Sequence, residues 1–127
     1  MTDYVLDASA VLALLNAEKG AALVQDVLPR AVLSAVNLAE VITRLVAVGM
    51  PETEIQEALT LLGLKIIPFE EEGAFQSGFL YTKTKPLGLS LGDRACLGLA
   101  KSNGATALTA DRTWQELNIG VHVKLIR

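Results

Sequence analysis

Tyr4-Val5-Leu6-Asp7-Ala8-Ser9 decides how this chain is read: an unbroken apolar run, an acid, then small residues that enter helical spacing. Apolar residues without polar alternation mark a strand buried on both faces, as in a parallel sheet covered by helices. The pattern returns at Thr106-Ala107-Leu108-Thr109-Ala110-Asp111. Both acids should therefore surface at the same edge of the sheet, where open α/β folds place their ligand crevice.

The rest of the chain alternates in the same way. Ala31-Val32-Leu33-Ser34 reads as a second buried strand, followed by a helix with Leu38, Val41, Ile42 and Leu45 on one face and Gly49 as its stop. Pro51, Glu52 and Glu54 open another helix, as first-turn residues do, and Gly63 closes it. Lys65 to Phe69 is a third strand, and Glu70-Glu71-Glu72 begins an amphipathic helix carrying Phe75, Phe79 and Leu80. Residues 83–89, with Pro86 and Gly88, read as a loop before a helix from Ser90 to Lys101. A short helical piece near Trp114 leads to a last strand over 121–126. Strands alternating with helices imply an α/β fold with a mostly parallel central sheet.

Composition narrows the function. A chain of 127 residues with 51% apolar and 20% charged residues is expected to form one domain, 1–127, with a well-buried core. A net charge of −3 and a pI near 5.1 argue against wrapping nucleic acid through a broad basic face. One cysteine, Cys96, and one histidine, His122, are too few for a zinc site or an intrachain disulfide. No stretch approaches the roughly 18 apolar residues of a membrane span, and no signal-type segment leads the chain, so a cytoplasmic protein is expected.

Two further acids sit at helix starts: Glu40 in Asn37-Leu38-Ala39-Glu40-Val41 and Asp93 in Ser90-Leu91-Gly92-Asp93-Arg94. Each of the four has an ordinary structural use. Asp7 and Asp111 stand at N-cap positions, while Asn37 with Glu40 and Ser90 with Asp93 have the capping-box spacing. Converging carboxylates nevertheless repel, at roughly 4 kcal/mol per close pair for an effective dielectric near 20. Either protonation or a divalent cation relieves that repulsion. Oxygen ligands alone select Mg²⁺ or Mn²⁺ over zinc.

These four segments, in this order, resemble a PIN domain, most closely the compact VapC-like ribonuclease toxins of toxin–antitoxin pairs. The resemblance spans essentially the whole chain and implies a three-layer α/β/α sandwich. It also implies a Mg²⁺- or Mn²⁺-dependent endoribonuclease with Asp7, Glu40, Asp93 and Asp111 at the metal, supported by Thr109 and Ser9. A cognate antitoxin and an RNA substrate follow from the same resemblance, while apolar residues beyond one stripe, as in Val11 to Leu15 and Val41 to Val46, lead to an expected homodimer. Arg94, Arg112, Lys83 and Lys85 are candidates to hold RNA phosphates outside the acidic centre.

Rival classes fit less well. A phospho-accepting receiver needs an acceptor Asp at the end of its central strand, and Ile66-Ile67-Pro68-Phe69 offers none. An aspartyl phosphatase needs a second Asp two positions after Asp7, where Ser9 stands. A free-standing PIN nuclease, or an inactive PIN-like module that only binds RNA or protein, is the remaining alternative.

Overall fold

Five strands form one sheet in the computed structural model, which describes residues 2–127. They are β1 (Tyr4–Leu6), β2 (Ala31–Ser34), β3 (Lys65–Ile67), β4 (Thr106–Thr109) and β5 (His122–Leu125), in the spatial order β3-β2-β1-β4-β5. Every pairing is parallel, so the sheet is more uniform than the mostly parallel one expected. The chain steps outward from β1 to β2 to β3, then crosses back to β4 and continues to β5. The strand order thus reverses between β1 and β4, which makes their carboxyl ends the switch point at which such sheets bind ligands.

Alternate residues of the inner strands feed two cores. Leu6, Leu33 and Leu108 point to one face. There they meet Val11 of α1 (Ala8–Leu15), Val24 of α2 (Ala21–Val27), Val41 of α3 (Ala35–Ala47) and Ile55 of α4 (Glu52–Leu62). Val5, Val32 and Ala107 point to the other face, against Leu80, Cys96, Leu97 and the fully buried Trp114. That face is covered by α5 (Glu71–Phe79), α6 (Tyr81–Thr84) and α7 (Leu91–Asn103). The result is the expected three-layer sandwich. No described helix is long and apolar enough to cross a membrane.

Three local expectations need correction. Residues 83–89 are not an open loop: α6 runs into a 3-10 turn at Lys85–Leu87. The buried Thr84 hydroxyl donates to the Leu80 carbonyl at 2.9 Å, Pro86 starts the tighter turn, and Gly88 ends it with a φ of 66°. The third strand stops at Ile67, because its partner β2 becomes helix after Ser34 and leaves nothing for Pro68 and Phe69 to pair with. In α5, Phe75 and Phe79 face solvent with ring centroids 5.7 Å apart. It is Ser77 and Leu80 that turn inward, and α5 lies close on α7, where a Cβ on Gly98 would stand 3.2 Å from Gln76.

Candidate active site

Asp7 follows β1 directly, and its backbone N–H donates to the Leu108 carbonyl of β4 at 2.9 Å, stitching the two strands at the switch point. It occupies the N-cap position of α1, yet its side chain caps nothing. Instead Oδ2 accepts from Ser9 Oγ at 2.8 Å and from Thr109 Oγ1 at 2.9 Å. Each hydroxyl is itself held by a backbone donor beyond β4: Ala110 N–H to Ser9 and Asp111 N–H to Thr109, both at 3.0 Å. Both hydroxyl hydrogens are spent on one carboxylate oxygen, and neither reaches Oδ1. Burial pushes the Asp7 carboxyl from its ordinary 3.8 up to about 6. The two hydroxyls pull it down, and the charge of Asp93 adds to the rise.

Glu40 projects from α3. Asn37 does not cap that helix, because Ser34 takes the role by accepting from Val36 N–H at 3.2 Å. Freed from capping, the fully buried Asn37 donates through Nδ2 to Glu40 Oε1 at 2.9 Å and to the Gly92 carbonyl at 3.0 Å. Gly92 lies so close to Glu40 that a Cβ there would clash with the carboxyl group and force it to shift.

Asp93 and Asp111 do both of the things the sequence allows them. Asp93 completes a capping box with Ser90: its Oδ2 accepts from Ser90 N–H at 2.9 Å, and Ser90 Oγ accepts from Asp93 N–H at 3.2 Å. Asp111 caps the 3-10 turn Arg112–Glu116 by accepting from Thr113 N–H at 3.0 Å and from its hydroxyl at 2.7 Å. All four acids nonetheless line one cleft of about 670 Å³, together with Ser9, Ser90, Thr43 and Arg44.

The anticipated cations stand elsewhere. Arg94 donates to the Ser77 carbonyl at 3.2 Å and lies over the Tyr81 ring. Lys83 borders a separate hollow beside Phe79 and Gly98. Lys85 and Arg112 are exposed, Arg112 immediately after Asp111. Arg44, which the sequence reading passed over, is the basic residue that lines the acidic cleft. Its position one helical turn beyond Glu40 was the available signal.

Among the described residues the ion pairs are Arg30–Asp3 and Arg127–Glu18, so none of the four cleft acids has a basic partner. No three His, Cys, Asp or Glu side chains among them are grouped tightly enough to hold an ion by themselves. The donor set still fits a hard divalent cation that keeps much of its water shell. Its oxygens are carboxylates and hydroxyls, the charge is uncompensated, and the cleft has room for water. The same negative charges reach Cys96 behind the site, where burial first and then Asp7, Asp93 and Glu40 push the thiol well up.

Comparison with known proteins identifies the fold and the family. The PIN domain family model matches residues 4–119. Among solved structures, the chain resembles the DNA-bound VapBC of Salmonella typhimurium, with 17% identity over all of both chains and a TM-score of 0.80. It also resembles a toxin–antitoxin complex from Klebsiella pneumoniae, with 19% identity, 98% of each chain covered and a TM-score of 0.77. VapBC2 of Rickettsia felis, bound to a promoter DNA fragment, gives 19%, 98% of each chain and 0.76. No curated protein matches the sequence.

Proposed function

The chain belongs to the PIN-domain family, and from that premise we propose that it is a Mg²⁺- or Mn²⁺-dependent endoribonuclease and the toxin of a toxin–antitoxin pair. Residues 1–127 form its single ribonuclease domain, and it acts in the cytoplasm. The observation that carries this is the convergence of Asp7, Glu40, Asp93 and Asp111 on one cleft at the switch point with no basic partner among the described residues. The toxin assignment draws support from the complexes that share the fold.

In this function the four carboxylates would hold a cation that keeps much of its water shell, and Ser9 and Thr109 fix the orientation of Asp7. A divalent cation held there would supply an activated water and positive charge against the developing phosphate oxygens. Arg44 holds a neighbouring RNA phosphate inside the cleft, with Arg112 at its margin and Lys83 and Lys85 farther out. Arg94 contributes least, since its guanidinium already serves a carbonyl and a ring.

The test uses Asp7→Asn, Glu40→Gln, Asp93→Asn and Asp111→Asn, which keep side-chain size and much of the hydrogen bonding. Each variant should fold, melt no earlier than wild type in metal-free buffer, and lose RNA cleavage. Cleavage that survives in all four, with every variant less stable, would reduce the acids to helix caps.

A further inference from the structure

Resting on the cation site proposed above, we infer that Asn37 and Gly92 are positioning residues that together set where the Glu40 carboxylate stands relative to Asp93. The amide orientation of Asn37 follows from its partners. Glu40 Oε1 and the Gly92 carbonyl are both acceptors, so only the NH₂ group can face them, and both of its hydrogens are used. One side chain thus ties an acid on α3 to the backbone next to an acid on α7.

Three observations separate this from ordinary packing. Asn37 is fully buried, and its Oδ1 has no hydrogen-bond partner. A buried orphan carbonyl costs stability that an apolar residue of similar size would avoid, so packing alone does not account for an amide here. Glu40 is followed at i+4 by Arg44, in the order that favours an ion pair on a helix. The pair is nevertheless not formed, and the Asn37 amide holds Glu40 instead. Finally, the carboxylate occupies the space that any Cβ at position 92 would fill, so the seat requires glycine.

The experiment measures Mn²⁺ affinity by calorimetry, and melting temperature in EDTA, for wild type, Gly92→Ala, Asn37→Asp, Glu40→Ala and Glu40→Ala/Gly92→Ala. Gly92→Ala should keep its metal-free melting temperature within a few degrees of wild type, because alanine suits a helix better than glycine. Its Mn²⁺ affinity should fall at least tenfold. In the Glu40→Ala background the same change should have no further effect on affinity, since the group it displaces is gone. Asn37→Asp, which puts a carboxylate against two acceptors, should weaken Mn²⁺ binding at least as much. Should that variant fail to fold, Gly92→Ala and the double variant still decide. Wild-type Mn²⁺ affinity in Gly92→Ala, or an equal loss with and without Glu40, overturns the positioning role while leaving the cation site standing. Absence of Mn²⁺ binding by the wild type overturns both.

Discussion

At the scale of residues, Asp7 carries the most direct consequence of the cluster. Its carboxyl is raised from 3.8 to about 6 in the folded protein, so between those values the native state binds more protons than the unfolded chain. Stability therefore falls as pH rises through this window, by roughly 3 kcal/mol for about two units, and stays low above it. Metal-free wild type should lose melting temperature from pH 4 to 6.5 relative to Asp7→Asn, in which the titration is absent. Saturating Mg²⁺ at pH 7.5 should recover part of that loss in wild type and none in the variant. Thermal melts across pH, with EDTA or Mg²⁺, check both statements. Arg44→Gln tests the substrate side: kcat/KM for RNA should drop at least tenfold with Mn²⁺ affinity unchanged, as for a group that contacts only phosphate. Asp7, Asp93 and Asp111 could be found in the sequence because each follows a strand or opens a helix, whereas Glu40, expected at a helix start, lies in the second turn of α3. Arg44 had only its spacing from Glu40 to mark it, because the sequence does not say which face of α3 borders the cleft. The tie from Asn37 to Gly92 joins residues far apart in the chain, and local spacing suggested a cap instead.

At the scale of elements, capping and site-building coexist in the same residues. Ser90→Ala removes the acceptor for Asp93 N–H and should cost about 1 kcal/mol, with RNA cleavage reduced only as far as Asp93 is freed to move. Asp93→Asn still accepts from Ser90 N–H, so urea denaturation should place it within about 0.5 kcal/mol of wild type while cleavage is lost. The opposite ranking, with the serine variant inactive and the asparagine variant active, would contradict a role for Asp93 at the cation. Strands β1, β2 and β4 were legible because an apolar run buried on both faces leaves little choice of structure. Residues 83–89 were misread because Pro86 and Gly88 suggest a loop to local rules. The Thr84 bond to Leu80 that continues the helix depends on burial, which only the tertiary fold provides. Phe75 and Phe79 misled for a related reason: hydrophobic residues on a helix suggest a core face, but α5 packs on α7 where Gln76 and Ser77 meet Gly98.

For the whole molecule, the proposed toxin must meet a partner. On α1, Val11 is in the core and Leu12 borders the acidic cleft. An apolar groove of about 520 Å³ lies instead between α3, α4 and β3, lined by Leu38, Ile42, Val46, Leu59, Leu62 and Ile66, with Glu52 beside it. An amphipathic antitoxin helix would bury those side chains. The half-exposed Val46 can be changed to Glu at little cost to the fold. That variant should lose co-purification with the product of the adjacent gene while cutting RNA as wild type does. Wild type alone should run as a dimer in light scattering. The central claim, that the four carboxylates work by holding a divalent cation for RNA cleavage, meets its most direct test in one titration. Cleavage of single-stranded RNA by the purified protein is followed across Mg²⁺ concentration, starting from excess EDTA. Activity should be absent in EDTA, rise and saturate with Mg²⁺, and return when Mn²⁺ replaces it. Cleavage in EDTA equal to that in Mg²⁺ would contradict the account.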